Sequence, residues 1–148
     1  MKKYRLGFDP WGLLLFLLIM LPNLIWFAVP APNDILRGES ATPVLDSAAS
    51  VCQVLMVAAL CGSVSGKRGP LHPSPLIFSA VCCVLLYYAG WALYYMALAG
   101  PPVIGLLTLP PCLAFMFFPM DRRNFPAVFL TICFAICHLI CAAVNFIL

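Results

Sequence analysis

Residues 11–29 read WGLLLFLLIMLPNLIWFAV, and this stretch decides the fold. It holds no charged residue, and at about 1.5 Å of rise per residue it reaches close to the apolar thickness of a bilayer. Trp11 and Trp26 stand near its two ends, where interfacial aromatic residues gather. Asp9 and Pro10 supply an N-cap and a first-turn proline, and Pro30 and Pro32 stop the helix. Pro22 lacks the backbone N–H that its position requires, so the sequence predicts a helix broken at Pro22 and Asn23. The apolar run is too long for a signal peptide, and prolines occupy the place of a cleavage site. The reading is an uncleaved first span.

Composition extends this reading to the whole chain. Of 148 residues, 64% are hydrophobic and 9% charged, and the mean hydropathy is +1.05. That leaves too little polar surface for a water-soluble globule, and a polytopic membrane protein is the class that fits. The net charge of +3 comes from basic residues beside hydrophobic ends, which is no signature of nucleic-acid binding. All eight cysteines lie inside apolar runs, so they imply packing and not a disulfide framework.

Five spans follow, at about residues 10–29, 43–63, 76–98, 103–118 and 126–147. The expected fold is an all-α integral membrane protein forming a single transmembrane domain, with helices 1 and 4 broken by proline, the latter at Pro110 and Pro111. Lys2, Lys3, Arg5, Lys67, Arg68, Arg122 and Arg123 fall on one side of such a bundle, and Arg37 alone on the other. The positive-inside rule then places the N-terminus in the cytoplasm and the C-terminus outside. Short loops and a basic start suggest a bacterial cytoplasmic membrane.

Polar side chains inside a bilayer are costly, so their depth is informative. Asp46, Ser50 and Gln53 descend one face of helix 2 from its outer end. Asn23 lies in the outer half of helix 1. Tyr87 and Tyr88 lie at similar depth on helix 3. Thr131, His138 and Asn145 share a face of helix 5 at heptad spacing. The outer half thus collects Asn23, Asp46, Ser50, Gln53, Tyr87, Tyr88, His138 and Asn145, while the inner half holds almost nothing polar. These eight are the candidate ligand-binding residues of an outward-opening cavity between helices 1, 2, 3 and 5. The bland alternative is that they are hydrogen-bonding glue between helices.

No catalytic motif or phosphate loop is present, and the expectation is a protein that is not an enzyme. Cys133, Cys137, Cys141 and His138 match metal ligands by type, but one helix does not aim all four at one ion, so no metal or cofactor is expected. Residues 16–30 and 105–119 align with matched prolines, which would make helices 1–2 and 4–5 an inverted repeat of the kind found in transporters. Ala58, Gly62 and Gly66 form a small-residue face suited to a homo-oligomer or a larger membrane partner. Two functional classes follow. One is a structural or accessory subunit packing with a membrane partner, which has the better base rate. The other is a small transporter, channel or membrane-embedded binding protein. A polar cavity favours the second.

Overall fold

The computed structural model describes residues 4–67 and 69–148. Lys2, Lys3 and Arg68, three of the basic residues behind the expected orientation, lie outside the described residues. A short strand β1 (Tyr4–Leu6) precedes α1 (Pro10–Ala28), and α2 (Pro43–Gly62) leads into a second strand β2 (Ser63–Ser65). Then come α3 (Pro75–Tyr95), α4 (Pro101–Asp121) and α5 (Phe125–Ala142), the last continuing into a π-turn at Ala143–Ile147. Five helices, α5 counted with its π-turn, are long and apolar enough to cross a membrane. The chain is a multi-pass membrane protein.

Each of the five long helices carries a proline at its first or second position, where the fixed φ and missing N–H suit the first turn. Asp9, Ser74 and Asn124 cap α1, α3 and α5 through their side chains. Thr42, at the start of α2, makes no side-chain cap; its hydroxyl accepts from Asn145 at 2.8 Å.

The expected breaks in α1 and α4 do not occur. Both helices run continuously through Pro22 and through Pro110 and Pro111. A proline inside a helix strands the carbonyl four residues earlier. For Pro22 that carbonyl belongs to Leu18, and the Tyr88 hydroxyl donates to it at 2.7 Å. For Pro119 it belongs to Phe115, and the Thr131 hydroxyl donates to it at 3.1 Å. At Pro22 and Pro119 a neighbouring helix thus supplies a donor for the stranded carbonyl, as a bilayer interior demands.

Contacts between helix ends establish the alternation. At the end carrying β1, here the basal end, Gly7 and Asp9 donate to the carbonyls of Gly62 and Cys61. Strands β1 and β2 pair antiparallel there, with Arg5 opposite Val64. Asn124 bonds the carbonyls of Ala59 and Ser63, joining the start of α5 to the finish of α2. At the distal end Tyr94 meets Asp34, and Asn145 meets Thr42. The described chain therefore starts basally and finishes distally.

Helix α4 is the most buried of the five, and α3 packs along it most intimately. A Cβ on Gly90 would lie 2.8 Å from the Leu106 Cβ, so glycine sets this close approach. Gly12 does the same for α1, where a Cβ would come 2.9 Å from the Leu60 carbonyl oxygen. The anticipated small-residue face is different. Helix α2 stops at Gly62, Gly66 lies beyond β2, and nothing stands within 4 Å of a Cβ on Gly62. Helix α1 is far less buried than α4, so the two proline-matched segments do not occupy equivalent environments.

The basal half, expected to hold almost nothing polar, is more polar than that. Asp9 and Arg122 oppose each other at 3.5 Å, their side chains 5% and 4% exposed. Arg122 also donates to the Gly69 carbonyl, and Ser74 donates to Asp121. Arg122, counted in the sequence as a flanking positive charge, is a buried, paired one.

Candidate ligand cavity

A cavity of about 450 Å³ opens among the distal halves of the helices. That volume lies in the range of small-molecule sites. Six of the eight candidate residues line it: Asn23, Asp46, Gln53, Tyr87, His138 and Asn145. Two do not. Ser50 is exposed and its hydroxyl returns to the Asp46 carbonyl at 2.9 Å. Tyr88 points away to bridge the Leu18 carbonyl.

The expected position between helices 1, 2, 3 and 5 omits the central helix. Leu107, Thr108, Pro111, Cys112 and Phe115 bring α4 into the wall, and Trp91 and Phe134 add aromatic surface from α3 and α5. Thr108 was readable in the sequence as a polar residue within an apolar span. The others look like ordinary core residues, because a cavity wall of aromatic and sulfur groups carries no periodic signal.

Each polar group is held by its own element. Asn23, one residue beyond Pro22, donates to the Tyr87 hydroxyl at 2.7 Å and to the Ile19 carbonyl at 3.1 Å. Trp91 follows Tyr87 by one helical turn, their rings edge to face at 6.3 Å. The Trp91 Nε1–H turns toward the Tyr87 hydroxyl but does not reach hydrogen-bond geometry, and it is buried without an acceptor. His138 stacks on Phe134, ring centroids 5.1 Å apart. Asp46 lies in the first turn of α2, with Cys141, Ser40 and Thr42 facing it and His138 within electrostatic range. Gln53, two turns farther along α2, makes no hydrogen bond among the described residues.

The loop between α1 and α2 covers the distal side through Leu36, Gly38 and Ser40. Two latches fix it. In the first, Asp34 accepts from Trp26 Nε1, the Tyr94 hydroxyl and Arg37 Nε, at 2.9, 3.0 and 2.8 Å. Arg37 also caps the Trp26 and Phe27 carbonyls and lies 4.8 Å from the Trp26 ring centroid. Burial alone would raise the Asp34 pKa, but the hydrogen bonds from Trp26, Tyr94 and Arg37, with the Arg37 charge, outweigh it and hold the carboxyl below its ordinary value. In the second latch, Asn145 accepts from the Ala41 N–H at 2.6 Å and donates to Thr42. The π-turn, whose wider spacing re-aims side chains, carries Asn145.

Among the described residues no group of three or more His, Cys, Asp or Glu side chains converges as a metal site. Cys133 and Cys137 lie outside the cavity wall, and only His138 and Cys141 of that expected series face it. Comparison with protein-family models, curated proteins and solved structures finds no match.

Proposed function

We propose that this membrane protein binds a small molecule in its distal cavity, as a binding protein or the binding core of a transporter. The observation that carries this reading is the buried Trp91 Nε1–H, without an acceptor, on the wall of a cavity that also presents Asp46, Gln53 and His138. A buried indole N–H ordinarily has a partner. A binding role, not catalysis, is proposed, because nothing here resembles an activated nucleophile.

The proposed orientation sets the basal end in the cytoplasm. Arg5, Lys67 and Arg123 support it, together with Lys2, Lys3 and Arg68, against Arg37 at the distal end. The cavity then opens outward. The compact loops and basic start support placement in a bacterial cytoplasmic membrane. The exposed Ala58 beside Gly62 leaves a short face for a second copy or a membrane partner, which accords with the accessory-subunit reading without accounting for the cavity.

Ligand-induced stabilisation tests the binding role. A molecule bound only by the folded state raises the melting temperature in a saturable way. A panel of small amphipathic compounds should contain at least one that does so for the native protein and fails for Thr108→Trp, which fills the cavity. No shift from any compound, or the same shift in the filled variant, contradicts the proposal. Reporter fusions at Lys67 and the C-terminus test the orientation, which a cytoplasmic C-terminus would overturn.

A further inference from the structure

The cavity wall is uneven in charge. Asp46 is its one carboxylate among the described residues, and no lysine or arginine joins it. Arg37, the nearest distal cation in sequence, is committed to Asp34 and the Trp26 ring. The N-terminus of α2 favours a charged carboxylate at Asp46. Among the described residues, the other titratable side chains that face it are His138 and Cys141. The deeper wall is aromatic, formed by Tyr87, Trp91, Phe115 and Phe134.

An anionic ligand would face Asp46 with no cation to offset the repulsion. A wholly apolar ligand would leave the Asp46 charge without a neutralising cation and the Trp91 Nε1–H without an acceptor. An ammonium group satisfies the carboxylate, and aromatic faces attract cations further where water is excluded. An acceptor on the body of the same molecule satisfies Trp91, which is 6% exposed and has no partner for Nε1.

We propose that the cavity takes an amphipathic organic cation, its ammonium group at Asp46 and its aromatic or apolar body, bearing a hydrogen-bond acceptor, against Trp91. This inference rests on the reading of the cavity as a small-molecule site. It adds the charge and chemistry of the occupant. Binding is non-covalent and needs no co-reactant.

Three probes of one size separate the possibilities: tyramine as the cation, tyrosol as its neutral alcohol, and phloretate as the anion. Titration calorimetry on the detergent-purified protein at neutral pH should show tyramine binding about tenfold or more tighter than tyrosol, and phloretate not binding. Asp46→Asn should abolish the preference for tyramine over tyrosol, and Asp46→Glu should retain it. Trp91→Phe should weaken tyramine and tyrosol alike if the ligand supplies the acceptor. Unchanged affinity there would assign that position to water and overturn this part of the proposal. Tyrosol or phloretate binding as tightly as tyramine would overturn the cation and leave the small-molecule site standing. Binding by none of the three would overturn both. The native probe series decides even where Asp46→Asn does not fold.

Discussion

The Tyr88 hydroxyl donates at 2.7 Å to the Leu18 carbonyl, the group that Pro22 leaves without its helical partner. Helix α3 thereby repairs α1; at Pro119 of α4 the Thr131 hydroxyl of α5 reaches the Phe115 carbonyl at 3.1 Å while sharing its proton with the Ala127 carbonyl at 2.8 Å. Tyr88→Phe should therefore lower stability by about 1–2 kcal/mol in the native chain. In a Pro22→Ala background, where the helix supplies its own N–H, the same change should cost far less. Thermal unfolding of the four proteins reads this coupling, and equal costs in both backgrounds would show that the contact does not compensate the proline.

The buried Asp9–Arg122 pair makes a second coupling. Removing the Asp9 carboxylate strands the buried Arg122 charge, which costs about 3–5 kcal/mol. Asp9→Asn keeps a residue able to cap α1 and removes only the charge. Asp9→Asn should destabilise strongly in the native chain and far less in an Arg122→Met background, where no buried cation is left behind. Strict additivity in denaturation would show that the two side chains do not support each other.

Glycine has opposite importance at two positions. Gly90→Ala pushes a methyl into Leu106 and should destabilise by about 1–3 kcal/mol through overpacking. Gly62→Ala meets open space and should leave the melting temperature unchanged or slightly raised. Equal effects of the two substitutions would contradict the close approach of α3 and α4.

The Asp34 latch should be acid-sensitive. Its folded pKa lies below the ordinary 3.8, so its contribution to stability is complete above that value and is lost as pH falls through the lower folded pKa. Melting temperatures followed from neutral pH down through that window should fall less for Asp34→Asn than for the native protein. An identical acid dependence in both would show that the latch does not titrate this way.

The five spans were legible because hydrophobic length and terminal prolines are local signals, and the cap at Asp9 followed from the same chemistry. The continuity of α1 and α4 was not. A proline reads as a break until the donor from another helix is known, and Tyr88 lies seventy residues from Leu18. The β1–β2 pairing and the Asp9–Arg122 contact likewise join segments far apart in the chain. Of the candidate site, depth along each helix brought Asn23, Asp46, Gln53, Tyr87, His138 and Asn145 into one region of the bundle. Depth does not determine rotation, and rotation turned Ser50 and Tyr88 away. The aromatic wall from Trp91, Phe115 and Phe134 was indistinguishable from core.

The central claim is that the distal cavity is open to the outer aqueous phase, and Cys112 tests it most directly. This cysteine lines the cavity yet is 2% exposed, so a polar reagent reaches it only through that space. In a protein whose other seven cysteines are replaced, sealed vesicles of known orientation are treated with a small, charged, membrane-impermeant methanethiosulfonate. Labelling of Cys112 from the distal side, slowed by Thr108→Trp, is the predicted result. A thiol that reacts only after unfolding, or only from the basal side, would contradict the account.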